Sequence, residues 1–286
     1  MSLLIPQPER LLQNLREIHE LGADGPSRRK LAKNMFQANL KRTHHGWSSF
    51  ANRLMGTTQV DVTLNFASDL PFTYRPGTTD LLVLEQVFLD GEYRVEPIAA
   101  DSIEYIVDLG SNIGVTAMFW AQRYPKARMI LVEPDPDNFK LLERNTAAFK
   151  DRCQLFNVAV SDQRGTTTFF HSDREYGHSL VRGDDSVSET VVRTLTVTDL
   201  IEEAGFPRVD LLKMDIEGGE TIIMPTIASW KYAPRYLIAE LHPPYDFDTF
   251  TEHCRKVGLK AVESGPEFRV NLPFAARSEG RTEARV

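Results

Sequence analysis

Hydrophobic positions in the first part of the chain recur at helical spacing. Apolar residues follow Pro8 on one helical face and stop at Gly22, which predicts a first helix. A second helix is predicted with Ser27 as its N-cap. Its apolar face consists of Leu31, Ala32, Met35, Phe36 and Leu40. The first sixty residues are therefore expected to form a helical extension.

From about residue 100 the pattern changes, and short apolar runs alternate with helical stretches. The predicted strands are 103–109, 128–132, 153–160, 209–214 and 235–241, with two β-branched insertions at 166–171 and 190–197 and a final pair near 259–271. The predicted helices are 115–124, 136–149, 218–229 and 246–257. Near-continuous apolar strands alternating with helices are typical of an α/β fold, with a mostly parallel sheet covered on both faces. Ligands in such sheets bind at the carboxyl ends of the strands.

Composition narrows the class of protein. The 286 residues are 42% hydrophobic and 26% charged, which excludes a disordered or fibrous chain. The net charge of −7 argues against a general nucleic-acid binder. Two cysteines, no signal-peptide pattern at the start and no apolar run of about 20 residues favour a cytoplasmic protein without a transmembrane segment.

The basic residues are unevenly distributed. The segment from Gly25 to Val60 contains seven Lys or Arg and no acid, so it carries +7 and the remainder of the chain −14. Either this is a solvated helix face or it docks an anionic acceptor or partner, and the N-terminal helices are also a candidate surface for homo-oligomer contacts. We expect a basic helical extension at 1–60, a catalytic domain at 61–276 and a flexible polar tail at 277–286.

A glycine-containing loop follows the first core strand. Asp108, Gly110, Asn112 and Gly114 alternate with other residues and open a helix, whose first N–H groups favour an anionic group. This spacing differs from the dinucleotide fingerprint G-x-G-x-x-G. The leading acid suits a cation, such as the ammonium of an amino-acid moiety. The alternative is an ordinary glycine-rich turn between strand and helix.

The next two strand ends complete a candidate cofactor site. Glu133 ends the second strand, where a carboxylate can accept both hydrogen bonds of a ribose diol. The third strand ends around Asn157 and Ala159, where a small residue and backbone amides can border an adenine. Pro136 opens a helix that carries Asn138. Together with the loop, these residues predict an adenosine-type cofactor.

Acidic residues and a histidine follow the last two strands of the parallel sheet. Because side chains alternate along a strand, Glu240 and His242 share one face, as would Asp215 and Glu217 if their strand persists that far. One interpretation is general base catalysis by His242, whose ordinary pKa is about 6.5. A second is a divalent ion, Mg²⁺ or Mn²⁺, bound by the carboxylates. A third is structural, with Glu217 or Glu220 capping the helix that follows.

Eight segments of the chain resemble the FkbM-type class I methyltransferases, which use S-adenosylmethionine. They are 74–80 (Tyr-Arg-Pro-Gly-Thr-Thr-Asp), 87–88 with Tyr93, 108–114, 132–138, Leu142 with Asn145, 157–160, 211–220 (containing Lys-x-Asp-x-Glu-Gly-x-Glu) and 240–242. The resemblance covers about residues 72–245. It implies a Rossmann-like sheet of seven strands, the last reversed, and methyl transfer that is usually to a hydroxyl oxygen.

The strand-end residues and the resemblance together predict roles for individual residues. The cofactor-binding set is Asp80, Asp108, Gly110, Ser111, Asn112, Gly114, Glu133, Asn138, Asn157 and Ala159. The catalytic set is His242, Asp215 and Glu240. We assign no metal ligand, and the divalent ion is kept as the alternative. The expected acceptor is a hydroxyl on a sugar, glycan or natural product, either free or carrier-linked.

Two other classes of protein compete with this interpretation. An NAD-dependent Rossmann oxidoreductase or epimerase also has alternating strands and helices, but it is expected to carry G-x-G-x-x-G. The second competing class is a non-catalytic subunit, which would bind the cofactor and act through the basic extension. Acids retained at every strand end argue against an idle site.

Overall fold

The computed structural model describes residues 8–43, 59–65, 69–94, 98–99, 101–172, 186–263 and 272–277. The chain begins with helices α1 (Pro8–Glu20) and α2 (Gly25–Thr43). A hairpin of β1 (Val60–Leu64) and β2 (Leu70–Tyr74) and the helix α3 (Asp80–Phe88) follow. These elements precede the main sheet.

The core alternates strands and helices. In chain order the elements are β3 (Tyr105–Leu109), α4 (Val115–Arg123), β4 (Arg128–Val132), α5 (Pro136–Thr146), β5 (Cys153–Phe156), β6 (Ala159–Val160), β7 (Gly165–Ser172), β8 (Ser186–Leu195), α6 (Val197–Glu203), β9 (Leu211–Met214), α7 (Glu220–Ile223), β10 (Tyr236–Ala239), α8 (Phe247–Arg255), β11 (Leu259–Val262) and β12 (Phe274–Arg277). Local chemistry starts the helices: Asp135 accepts from the N–H groups of Asp137 and Asn138, and Thr196 and Asp199 form a capping box.

Seven strands form the main sheet in the order β11-β12-β10-β9-β3-β4-β5. Neighbouring strands from β10 to β5 run parallel, whereas β12 is antiparallel to both β10 and β11. Side chains on both faces are buried, since Val107 and Leu109 belong to one hydrophobic cluster and Ile106 to the other. The predicted α/β fold with a reversed last strand is confirmed.

Several predicted boundaries were wrong. The strand expected at 153–160 is divided, because β6 leaves the main sheet and pairs with β8 in a three-stranded sheet of order β6-β8-β7. The helices expected at 136–149 and 218–229 end as α-helices at Thr146 and Ile223 and continue as 3₁₀ turns. The second strand of the final pair lies beyond residue 271, and Arg277 ends it rather than beginning a tail. Residues 278–286 lie outside the described residues.

The N-terminal helices pack into the same core as the sheet. Ile18, Leu31 and Met35 are buried in one cluster with side chains of the hairpin and of α3 to α5. The predicted N-cap at Ser27 was wrong: Asp24 accepts from the Ser27 N–H at 2.7 Å, and the Ser27 hydroxyl accepts from the Thr63 N–H. Helix α2 is thereby joined to β1.

Phe36, which was expected on the buried face of α2, is 45% exposed. Among the described residues, no helix is both long enough and apolar enough to cross a membrane.

Candidate active site

The loop after β3 adopts a conformation that depends on its glycines. Gly110, Asn112 and Gly114 have φ values of 81°, 50° and 91°, in the left-handed region. A Cβ on Gly110 would lie 1.8 Å from the carbonyl oxygen of Asp215, so the backbone after β3 passes directly against the backbone after β9. The glycine loop therefore joins the candidate cofactor site to the candidate catalytic site.

Glu133 is buried at the end of β4 and organises the neighbouring loops. Its two oxygens accept from the Asn112 N–H at 2.8 Å and from the Asp135 N–H at 2.9 Å. Burial raises the pKa of Glu133 to about 7 although these two hydrogen bonds lower it. Asn157 donates its side-chain amide to the carbonyl of Glu133 at 2.8 Å. Three of the predicted cofactor residues thus form one hydrogen-bonded unit.

Asp80 and Asn138 meet through Arg75. The guanidinium of Arg75 contacts both carboxylate oxygens of Asp80 and donates to the Asn138 side-chain oxygen at 2.8 Å. The Asp80 side chain is only 1% exposed, so this ion pair is largely removed from water. Arg75 lies in one of the segments noted for their resemblance, but the sequence analysis assigned it no role. Its contacts attach the segment after β2 to the start of α5.

Asp108 contacts a cation supplied by the protein itself. Its carboxylate is fully buried and lies 3.3 Å from Nζ of Lys213, which also donates to the carbonyl of Gly110. Burial raises the pKa of Asp108, and Lys213 opposes that effect. The sequence analysis quoted Lys213 only within the family motif. Its function here is to neutralise an acid beneath the glycine loop.

The other two predicted cofactor residues are also buried. The Ser111 hydroxyl donates to the carbonyl of Asp108 and accepts from the Val132 N–H, so it joins β3 to β4. Ala159 packs against Phe169 and Val192 under the three-stranded sheet. Their assignment to the cofactor remains a prediction.

The acids after β9 and β10 meet around His242. Nε2 of His242 lies 3.3 Å from Glu217 and 3.8 Å from Glu240, and Nδ1 lies 3.2 Å from Glu220. The strands do not persist as far as these residues, because β9 ends at Met214 and β10 at Ala239. Glu217 instead has a φ of 51°. Turns, rather than the strand pleat, bring these side chains together.

The charge state of His242 differs from the expectation. Burial alone would lower its pKa, but the hydrogen bond to Glu220 and the charges of Glu217 and Glu220 outweigh burial and raise the pKa to about 9. A pKa of about 9 favours the protonated imidazole near neutral pH, whereas a general base acts from the neutral form. The catalytic role of His242 remains a prediction. The carboxylates titrate higher than usual: burial is the main cause for Glu217, at about 8, and the charge of Asp215 for Glu240, at about 7.

Two further side chains border this cluster. The Tyr93 hydroxyl lies 3.4 Å from Asp215, and the Lys213 ammonium lies 5.6 Å from the Tyr93 ring centre. Burial raises the pKa of Glu92 to about 7, with Asp215 adding to the effect. No periodicity or motif pointed to Glu92. Glu220 is fully buried and accepts from the Ile216 N–H, which supports the structural interpretation of that residue.

The strand order, the reversed strand, the glycine loop after β3 and the acid after β4 define a Rossmann-like class I methyltransferase fold. Residues 108–268 match the Methyltransferase FkbM domain. The chain belongs to this family.

Three relatives show how far the similarity extends. The chain is 31% identical to the 2-O-methyltransferase NoeI of Sinorhizobium fredii, over 42% of this chain and 55% of NoeI. It is 25% identical to the hexuronic acid methyltransferase AglP of Haloferax volcanii, over 51% and 59% of the two chains. It is 24% identical to the 31-O-demethyl-FK506 methyltransferase FkbM of Streptomyces tacrolimicus, over 55% and 72%. The chain therefore spans little more than half the length of NoeI and of AglP, and 10% of the length of a further curated relative.

Proposed function

We propose that the protein transfers the methyl group of S-adenosylmethionine to a hydroxyl oxygen of a sugar, glycan or natural-product acceptor. The observation that carries the proposal is the contact between the two halves of the site. The glycine loop lies directly against the backbone of Asp215, so a cofactor on the loop would have its reactive end beside the acidic residues. Relatives named for 2-O, hexuronic acid and 31-O methylation support an oxygen acceptor of this kind.

The residues around the loop fit the groups of this cofactor. Each oxygen of Glu133 already accepts one backbone N–H and retains a lone pair, which suits a ribose hydroxyl. The side-chain oxygen of Asn112 is buried and has no hydrogen-bond partner among the described residues, which suits the ammonium of an amino-acid moiety. A positively charged sulfonium beside the acids after β9 and β10 would favour their ionised forms, which burial and their mutual repulsion disfavour.

The chemistry asks little of the protein beyond alignment and one proton transfer. When bound, S-adenosylmethionine supplies an activated methyl group. The chain aligns the acceptor oxygen and takes up the hydroxyl proton. A carboxylate of the cluster performs this second task, and Glu240, whose side chain is 42% exposed, is the most accessible of those that contact His242. His242, as a cation, holds these carboxylates together.

Binding and transfer experiments test the proposal separately. S-adenosylhomocysteine should raise the melting temperature of the protein, whereas NAD should not. In calorimetry, Glu133→Ala should weaken the binding of S-adenosylhomocysteine about ten- to a hundredfold, because a charge-assisted contact of about 1.5–3 kcal/mol is lost. Glu143→Gln, an exposed change on α5, is the matched control. If the wild type binds NAD and not S-adenosylhomocysteine, the proposal is wrong.

The acceptor is identified by labelling. The protein is incubated with methyl-labelled S-adenosylmethionine and fractionated glycans and natural products, and the labelled product is analysed for an O-methyl ether. A product labelled on nitrogen or carbon would contradict the oxygen acceptor. If the protein binds the cofactor but labels none of the fractions, the non-catalytic subunit is the better description.

A further inference from the structure

The acid cluster contains a set of atoms suited to a metal ion. One ligand atom from each of Asp215, Glu240 and His242 lies within 4.8 Å of the others. Ligands at about 2.1 Å from one ion are separated by about 3.0 Å when adjacent and about 4.2 Å when opposite. Two atoms 4.8 Å apart would have to close by about 0.6 Å to lie opposite each other on one ion, and by about 1.8 Å to lie adjacent, and rotation of these side chains would have to supply that movement. All three side chains are partly exposed, so further positions would remain open to water or an acceptor.

The neighbours of His242 provide a second, independent observation. Glu220 is fully buried, and its Oε1 lies 3.2 Å from Nδ1 of His242. Its other oxygen, Oε2, is buried and has no hydrogen-bond partner among the described residues. A histidine that binds metal through one ring nitrogen generally donates the other N–H to a carboxylate or a carbonyl. Glu220 is such a carboxylate, and its contact with Nδ1 leaves Nε2 facing Glu217 at 3.3 Å and Glu240 at 3.8 Å.

The charge around the cluster is unbalanced. Six carboxylates surround two basic side chains; the acids are Glu92, Asp108, Asp215, Glu217, Glu220 and Glu240, and the bases are Lys213 and His242. Lys213 lies deepest, between Asp108 and Asp215, and is 2% exposed. The open side of the cluster therefore has an excess of carboxyl groups over basic groups. A cation between Nε2 of His242 and the carboxylates of Glu240 and Asp215 would offset it.

We propose that Asp215, Glu240 and His242 bind one divalent metal ion, with Glu220 as the residue that positions His242. Two carboxylate oxygens and one imidazole nitrogen suit an ion of the Mn²⁺ type, which accepts both kinds of ligand. The ion would be held by Nε2 of His242 and by a carboxylate oxygen of Asp215 and of Glu240, and the second oxygen of Glu240 would remain available to the acceptor hydroxyl. The role of the ion in catalysis, to polarise the acceptor hydroxyl, rests on the proposed function; its binding does not.

Manganese binding to the purified chain tests the site without any acceptor or cofactor. After treatment with a chelator and its removal, the wild type should bind one Mn²⁺ per chain by calorimetry. The bound Mn²⁺ should show coupling to an imidazole ¹⁴N in pulsed electron paramagnetic resonance. His242→Gln should abolish the nitrogen coupling and weaken binding at least tenfold. Glu220→Gln should weaken it about ten- to a hundredfold, because the loss of an outer carboxylate typically has that effect.

Controls separate the metal site from general effects. The variant Glu143→Gln, which replaces an exposed acid on α5, should leave the Mn²⁺ affinity unchanged. Circular dichroism and S-adenosylhomocysteine binding of each variant show that the fold and the cofactor site persist. Absence of Mn²⁺ binding to the wild type, or unchanged affinity and nitrogen coupling in His242→Gln, would overturn the metal site. Either result would leave the proposed function intact if S-adenosylhomocysteine still binds.

Discussion

The buried carboxylate of Glu133 should make the stability of the fold depend on pH. Burial raises its pKa from 4.5 to about 7, against the effect of the two backbone N–H groups that it accepts. A pKa that is higher in the folded state means that the folded chain holds the proton longer than the unfolded chain. The stabilisation is therefore fully present below the unfolded pKa and is lost as the pH rises through about 7.

The magnitude follows from these two pKa values. Between about pH 5 and about pH 8, a shift from 4.5 to about 7 lowers the free energy of unfolding by roughly 2.5 kcal/mol. Glu133→Gln does not titrate and lacks this loss. Its amide group opposes one of the two backbone N–H groups, from Asn112 or Asp135, which costs about 1–3 kcal/mol at every pH. The variant should thus be less stable at low pH and approach the wild type at high pH.

Urea unfolding of both proteins at the two pH values measures this effect. The change in the free energy of unfolding between the two pH values is compared between the proteins, which cancels the other titrating groups. The wild type should lose about 2–3 kcal/mol more than Glu133→Gln, while Glu143→Gln should follow the wild type. Equal losses in Glu133→Gln and the wild type, within about 0.5 kcal/mol, would refute the raised pKa.

Three further predictions concern other parts of the chain. Arg75→Ala should lower the free energy of unfolding by about 3 kcal/mol, measured in urea, because it leaves the buried carboxylate of Asp80 without its main partner. Gly110→Ala should abolish S-adenosylhomocysteine binding in calorimetry, since its Cβ would overlap the carbonyl oxygen that follows β9. If the basic segment captures an anionic acceptor, reversing the exposed charges of Arg29 and Lys33 should raise the acceptor KM and leave the cofactor affinity unchanged. An unchanged KM would mean that the basic segment is a solvated helix face.

The architecture of the sheet could be predicted from sequence because the relevant signals are local. The apolar run at 128–132 became β4 with the same bounds, and the helix predicted at 115–124 became α4 to within one residue. The glycine loop could be located for the same reason, since positive φ values at Gly110 and Gly114 favour the residue type that occupies them.

Strand ends were less predictable than strands. Asp215 and Glu217 looked like a continuation of an alternating strand, but the chain turns after Met214. The turn is made because the backbone there packs against Gly110, more than a hundred residues earlier in the chain. Local alternation contains no information about such a contact.

The protonation state of the candidate site was decided by tertiary structure. Nothing in the sequence around His242 indicates an unusual pKa. Its pKa is raised by Glu220 and Glu217, which follow a different strand. Lys213 neutralises Asp108 across the sheet, and Arg75, which pairs with Asp80, contacts Asn138 at a distance of 63 residues along the chain. The sequence by itself determined the fold class and the residues that occupy the strand ends. Which of them carry charge depends on burial and on distances of a few ångströms between remote segments, and only the folded chain establishes those.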